Sequence, residues 1–138
     1  MPHTKLREQA VLVERNALGN VEIGEKPTCE GAGDGQLILA PELTKPDSCL
    51  VWSLGVCLTE FTARFMRRRQ YPPSCSALLR WIVDYGPCCR IVSIDVHLVL
   101  TVSLSAADRN TLRLMLEQCP IHKAIHDNVQ LGIEITTC

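Results

Sequence analysis

The stretch PDSCLVWSLGVCLTEFTARFMRRRQ, residues 46–70, decides which fold we expect for this chain. It begins with a proline and an aspartate and carries three consecutive arginines near its end. Proline suits the first turn of a helix, and early carboxylates and late cations complement the helix dipole. The pair Pro72-Pro73 then stops the helix. We therefore predict one long helix that starts near Lys45 and runs to about Gln70.

Apolar side chains lie on nearly every side of this helix. On one face they recur at three- and four-residue spacing, at Leu50, Leu54, Cys57, Leu58, Phe61 and Phe65. A second side of the helix is also apolar, with Val51, Trp52 and Val56. A helix that is apolar most of the way round is buried inside a larger structure. We therefore expect a sheet on one side of the helix and a second subunit on the other.

The sequence before the helix predicts a β-hairpin and one more strand. Residues 9–15 and 21–23 are strand-like, and Gly19-Asn20 between them is typical of a turn. Residues 25–35 are rich in glycine and predict a loop, and the run QLILA at 36–40 resumes a strand.

The sequence after the helix predicts two strands, a second helix and a closing strand. Residues 77–85 and 90–102 are β-prone, and the second run alternates apolar and polar side chains. Ser105 resembles a helix cap, and Leu112, Leu116 and Cys119 follow on one helical face that ends at Cys119-Pro120. Residues 120–126 make a further helical turn or two, and residues 129–135 alternate as a strand.

Length and composition indicate a single globular domain over residues 1–138. Fourteen Lys and Arg oppose fifteen Asp and Glu, so we expect no binding to nucleic acid or to a membrane surface. The polar start has no apolar signal-peptide core, which favours a cytoplasmic location. In that compartment the eight cysteines should be reduced, and most should be buried as small apolar residues.

One resemblance is rejected. Residues 40–61, APELTKPDSCLVWSLGVCLTEF, are similar to the protein-kinase stretch that runs from APE into a DxWSLGV helix. A kinase also needs a glycine-rich phosphate loop, a strand lysine, a catalytic-loop aspartate and a metal-binding aspartate, and the sequence contains none of those motifs. The chain is also too short for a kinase domain.

Two separated blocks resemble the OsmC/Ohr superfamily of osmotically inducible and organic hydroperoxide resistance proteins. Residues 46–57 are similar to the family pattern P-E-x-L-x-x-A-x-x-A-C, which ends at a peroxide-reactive cysteine, here Cys57. Residues 117–125, EQCPIHKAI, resemble the C-P-x-x-K block around the family's second cysteine, here Cys119. The resemblance covers about residues 36–138. It implies an α+β fold in which a curved antiparallel sheet packs on a long central helix and two chains intertwine as a homodimer.

The two cysteines have different reasons to react. Pro120 at the first position of a helix places Cys119 at the N-cap, where free amides and the helix dipole favour a thiolate. Cys57 lies about ten residues inside its helix, so the dipole contributes little there. A cation must therefore stabilise the Cys57 thiolate if this residue is to attack a peroxide.

The resemblance implies where that cation comes from. Family members use an arginine of the N-terminal strands, held by a carboxylate one residue after the proline of the first block. Asp47 stands at the position of this carboxylate, where the family usually has glutamate. Arg15, at the end of a predicted strand, is the candidate arginine, and Arg7 and Arg64 are the alternatives.

The implied function is a thiol-dependent peroxidase. Cys57 would attack a hydroperoxide, the sulfenic acid would condense with Cys119, and an external dithiol of the lipoyl or thioredoxin type would reduce the disulfide. No cofactor, metal or flavin is required. The alternative is a non-enzymatic stress protein that binds an apolar small ligand at the dimer interface. A zinc site built on Cys119 and His122 lacks a second ligand pair in the sequence.

Overall fold

The computed structural model describes residues 6–24, 45–87 and 89–137. Its elements are, in chain order, β1 Leu6–Arg15, β2 Val21–Ile23, α1 Pro46–Arg68, β3 Cys75–Asp84, β4 Arg90–Leu100, α2 Ala106–Leu116, α3 Pro120–Ile125 and β5 Gln130–Thr137. The fold is α+β, and these elements lie close to the bounds that the sequence predicts. The predicted loop at 25–35 and the predicted strand at 36–40 lie outside the described residues.

The strands form one sheet in the order β2-β1-β3-β4-β5. β1 pairs antiparallel with β2 and with β3, and β3 pairs antiparallel with β4. β4 and β5 run parallel, because α2 and α3 form a crossover that returns the chain to the end of the sheet where β4 begins. The sheet is therefore mixed, and the expected antiparallel order holds from β2 to β4 only.

The core lies between α1 and one face of the sheet. Val51, Leu54 and Leu58 of α1 are fully buried, and they belong to one apolar cluster with Leu79 and Trp81 of β3. Because successive strand residues point to opposite faces, one face of β3 supplies these contacts. Burial of each such side chain stabilises the fold by about 1.5–3 kcal/mol. This interface fixes where every residue of α1 lies.

The opposite side of α1 is half-exposed in the single chain. Leu50, Trp52, Val56 and Phe61 retain part of their accessible surface there. Among the described helices, α1 alone is long and apolar enough to cross a membrane. Half of its apolar 18-residue stretch is buried in the fold, which is typical of a core helix. The second subunit expected on this side remains a prediction.

Candidate active site

The fold brings Cys57 and Cys119 together. Cys57 lies near the middle of α1, and Cys119 is the residue immediately before α3. The two thiols are close enough for Cys119 to raise the pKa of Cys57. Because α3 packs against α1, the two sulfur atoms are neighbours, which is the arrangement that disulfide formation requires.

The turn between α2 and α3 positions Cys119. The N–H of Asp108 donates to the Ser105 side chain at 3.1 Å, which caps the start of α2 as the sequence predicts. At the other end of α2, the N–H of Cys119 donates to the Leu116 carbonyl at 3.1 Å. Cys119 is fully buried, whereas Cys57 keeps part of its surface exposed. A small molecule from solvent therefore meets the Cys57 thiol first.

A backbone amide in the first turn of α3 acts on the Cys57 thiol. Cys119 is the N-cap residue and Pro120 follows it, as expected, but the Cys119 side chain makes no cap hydrogen bond. Proline has no N–H, and the backbone amide of Ile121 lowers the pKa of Cys57. The expectation that this helix start favours a thiolate on Cys119 stays a prediction, and the described amide stabilises negative charge on Cys57.

Several influences act on the Cys57 thiol, and the apolar surroundings dominate. The pKa of Cys57 is raised from 9.0 to about 12, with burial as the largest cause and Cys119 as a further one. The Ile121 amide and the positive charge of Arg64 lower the pKa of Cys57. At neutral pH the protonated thiol therefore predominates in the isolated chain.

Arg15 is buried at the end of β1, with only 5% of its surface exposed. Its Nε donates to the Thr59 hydroxyl at 3.2 Å and its Nη2 to the Val56 carbonyl at 3.0 Å. Its Nη1 donates to the Gly19 carbonyl at 2.9 Å and pairs with the Glu60 carboxylate at 3.0 Å. The carboxylate that holds Arg15 is therefore Glu60 on α1, and the expected pairing with Asp47 is corrected.

Asp47 lies near the start of α1 and has a different partner. Its carboxylate accepts a hydrogen bond from the Nε1–H of Trp81 at 3.0 Å. Trp81 is 1% exposed, and a buried indole N–H needs an acceptor. The rise of an α-helix places Asp47 roughly 15 Å from Cys57 along α1. In the structure Asp47 therefore orients Trp81 and lies away from the two cysteines.

The three candidate arginines act at different places. The charge of Arg15 lowers the pKa of the buried Cys75, against a larger increase from burial that brings that pKa to about 12. The guanidinium of Arg7 lies over the Tyr85 ring, 5.8 Å from its centroid. Arg64 is the arginine whose charge lowers the pKa of Cys57. Of the candidates, Arg64 alone acts on the proposed reactive thiol.

Sequence reasoning missed two contributors to the site, Glu60 and the Ile121 amide. Glu60 and Arg64 stand four residues apart on one helix, a spacing that indicates an ion pair, and the carboxylate and Nε lie 3.1 Å apart. The amide could have been found from Pro120, because a proline at the first helical position leaves the next N–H as the first free donor.

The part of the chain that the structure describes contains no group of three His, Cys, Asp or Glu side chains arranged to hold a metal ion. His122 stacks on His126, with ring centroids 5.6 Å apart. Burial, as the largest cause, lowers the pKa of His122, and His126 adds to this. His122 is therefore a neutral, half-buried ring near neutral pH.

The raised pKa of Cys57 predicts how alkylation of this thiol depends on pH. Only the thiolate reacts, so the rate should rise about tenfold per pH unit between about pH 7 and 10. Cys119→Ala removes one cause of the raised pKa, so Cys57 should react several-fold faster in that variant at each pH. Mass spectrometry of the iodoacetamide-labelled peptide measures both rates. A wild-type rate that levels off below about pH 9 would contradict the assignment.

Comparison with known proteins gives matches among solved structures. No family model and no curated protein matches the chain. A Psychrobacter arcticus 273-4 protein, named for a proposed role in osmotic stress and detoxification, superposes with a TM-score of 0.61 at 18% identity, over 86% of this chain and 82% of that one. An OsmC-like protein from Mycoplasma pneumoniae gives 0.57 at 15% identity, with 98% of each chain covered.

A third match is the organic hydroperoxide resistance protein OhrB of Bacillus subtilis. Its TM-score is 0.54 at 13% identity, with 96% of this chain and 97% of that chain covered. All three matches cover at least 82% of each chain, although few residues are identical. The chain therefore has the fold of the OsmC/Ohr superfamily.

Proposed function

We propose that this protein is a thiol-dependent peroxidase that reduces organic hydroperoxides through Cys57 and Cys119. The observation that carries the proposal is the proximity of the two thiols, since α3 packs against α1 and Cys119 raises the pKa of Cys57. A partly exposed cysteine beside a fully buried one suits a reaction in which the first thiol meets the peroxide and the second forms the disulfide.

The chemistry follows from this order. The Cys57 thiolate attacks the terminal oxygen of a hydroperoxide, the O–O bond breaks, and the alkoxide takes up a proton and leaves as the alcohol. Cys57 is then a sulfenic acid. The Cys119 thiol attacks that sulfur, a disulfide forms, and water leaves. An external dithiol of the lipoyl or thioredoxin type returns the disulfide to two thiols and is itself oxidised.

The protein's own groups contribute charge stabilisation. The Ile121 backbone amide and the positive charge of Arg64 both lower the pKa of Cys57. Both favour the thiolate over the thiol. We further propose that the enzyme acts in the cytoplasm as a homodimer, whose second subunit covers the half-exposed side of α1. Burial of Leu50, Trp52 and Phe61 would supply the driving force for that association.

Substitution of Cys57 by serine tests the peroxidase proposal. We expect consumption of cumene hydroperoxide in the presence of a dithiol to fall to the background rate in Cys57→Ser, because the attacking sulfur is lost. Cys89→Ser is the matched control, since Cys89 is an exposed free thiol and should leave turnover unchanged. Unchanged turnover in Cys57→Ser would reject the proposal.

A second candidate function is binding of an apolar small molecule against α1. The pKa of about 12 for Cys57 favours it, because a thiol that stays protonated at neutral pH is a weak nucleophile. Peroxide treatment separates the two functions. If hydroperoxide never yields a disulfide between Cys57 and Cys119, as judged by mass spectrometry of unreduced peptides, ligand binding becomes the better account.

A further inference from the structure

Three charged side chains meet one turn beyond Cys57 on α1. The Glu60 carboxylate lies between two arginines, with Oε2 3.0 Å from Nη1 of Arg15 and Oε1 3.1 Å from Nε of Arg64. The two partners differ in burial, because 5% of the Arg15 side chain and 55% of the Arg64 side chain are exposed. Glu60 thus joins a buried cation inside the fold to an exposed one at its surface.

Arg15 anchors the turn of α1 that carries Cys57. Apart from Glu60, its partners on α1 are the Val56 carbonyl and the Thr59 hydroxyl. These residues flank Cys57 in sequence. The remaining bond, to the Gly19 carbonyl, ties the guanidinium to the loop after β1. Arg15 therefore fixes the position of the Glu60 carboxylate relative to the Cys57 turn.

Arg64 extends back over the same turn. It follows Cys57 by seven residues, which is two turns of helix, so both lie on one face. Helical side chains lean toward the N-terminus of their helix, and its contacts confirm that direction. Its Nε meets Glu60, and its guanidinium carbon lies 5.6 Å from the centroid of the Phe61 ring. The head group of Arg64 is thus held on the side of α1 where Cys57 lies.

We propose that Glu60 is a positioning residue that holds the guanidinium of Arg64 beside the Cys57 sulfur, while buried Arg15 fixes Glu60 in place. The inference deepens the proposed function, on which it rests for its biological purpose. It replaces Asp47 by Glu60 as the carboxylate of the site. It also divides two tasks between two arginines, since Arg15 orients the carboxylate and Arg64 supplies the charge that acts on the thiolate.

The sign of the Glu60→Gln effect tests this proposal. A carboxylate that acted only as a nearby negative charge would disfavour the thiolate, so its removal would make Cys57 more reactive. A carboxylate that holds Arg64 favours the thiolate, so its removal frees the arginine and makes Cys57 less reactive. We expect Glu60→Gln to slow iodoacetamide alkylation of Cys57 about threefold at pH 8, and Arg64→Gln to slow it by a similar factor.

A double variant shows whether the two residues act together. If Glu60 works through Arg64, the rate in Glu60→Gln/Arg64→Gln should equal that in Arg64→Gln alone. Arg68→Gln, another exposed arginine on α1, is the matched control and should leave the rate unchanged. Faster or unchanged alkylation in Glu60→Gln, or an unchanged rate in Arg64→Gln, would overturn the proposal.

Alkylation requires no peroxide, so this experiment is separate from the test of the peroxidase. If the substitutions do not slow alkylation of Cys57 as expected, the role of Glu60 is rejected and the peroxidase proposal is unaffected. If the protein shows no peroxidase turnover but Glu60→Gln still slows alkylation, the positioning role of Glu60 stands and the peroxidase proposal is rejected. If Glu60→Gln fails to fold, the rates of Arg64→Gln and Arg68→Gln decide the question.

Discussion

Arg15→Met should lower the free energy of unfolding by on the order of 2–4 kcal/mol. The methionine retains much of the apolar stem but removes every hydrogen bond that the guanidinium makes with Thr59, Val56 and Gly19, together with the ion pair to Glu60. Because 35% of Glu60 is exposed and Arg64 remains as its partner, water screens part of the loss. Urea denaturation measures the difference.

Two further variants show which property of Arg15 matters. Arg15→Lys keeps the charge, but its compact ammonium has three donors in place of the five that the planar guanidinium spreads over a wider fork, so we expect it to recover only part of the lost stability. Arg68→Met removes an exposed arginine from the same helix and should change stability by less than about 0.5 kcal/mol. A loss in Arg15→Met no larger than that in Arg68→Met would show that the buried network contributes nothing.

Much of the fold was predictable because local patterns carry it. Proline and arginine placement located α1, the Gly19 turn located the β1–β2 hairpin, and Pro120 located the start of α3. Strand direction was not predictable in the same way, because alternation of apolar and polar residues is the same in parallel and antiparallel strands. The parallel pairing of β4 with β5 depends on how the α2–α3 crossover packs.

The proximity of Cys57 and Cys119 was predictable from the sequence, whereas the pairing of the charged residues around them was not. The patterns placed Cys57 within one helix and Cys119 immediately before another, and the fold packs these two helices together. The partner of Arg15 depended on which turn of α1 lies against the end of β1. Asp47 and Glu60 are both acidic residues of α1, and only the packing of that helix on the sheet places Glu60 beside Arg15. Sequence resemblance to a family pattern favoured Asp47, and the tertiary structure did not follow that pattern.

Gly55 shows how closely α1 and the sheet approach each other. A β-carbon at this position would lie 2.6 Å from Cγ2 of Val13 and 2.8 Å from Cδ1 of Leu79. Glycine within a helix is about 1 kcal/mol less favourable than alanine, and the sequence alone offers no reason for it. The reason is the contact with β1 and β3, where both neighbours are fully buried.

Gly55→Leu should therefore destabilise the fold by on the order of 3 kcal/mol, because α1 must move away from the sheet to admit the side chain. Gly55→Ala should destabilise it by about 1–2 kcal/mol, since the close contact with stiff Val13 outweighs the gain in helix propensity. Ser53→Leu is the matched control on an exposed position of α1 and should leave stability nearly unchanged. Thermal or urea unfolding measures all three.

The direction of the Gly55→Ala effect decides between two accounts of this glycine. If only local helix propensity mattered, alanine would stabilise the protein. If the α1–sheet distance matters, alanine destabilises it and also loosens the contacts that depend on that distance, including the bond from Arg15 to the Val56 carbonyl. Hydrogen exchange at the amides of the Cys57 turn should then accelerate in Gly55→Ala and not in Ser53→Leu. A stabilised Gly55→Ala protein would mean that β1 and β3 yield easily to the added methyl group.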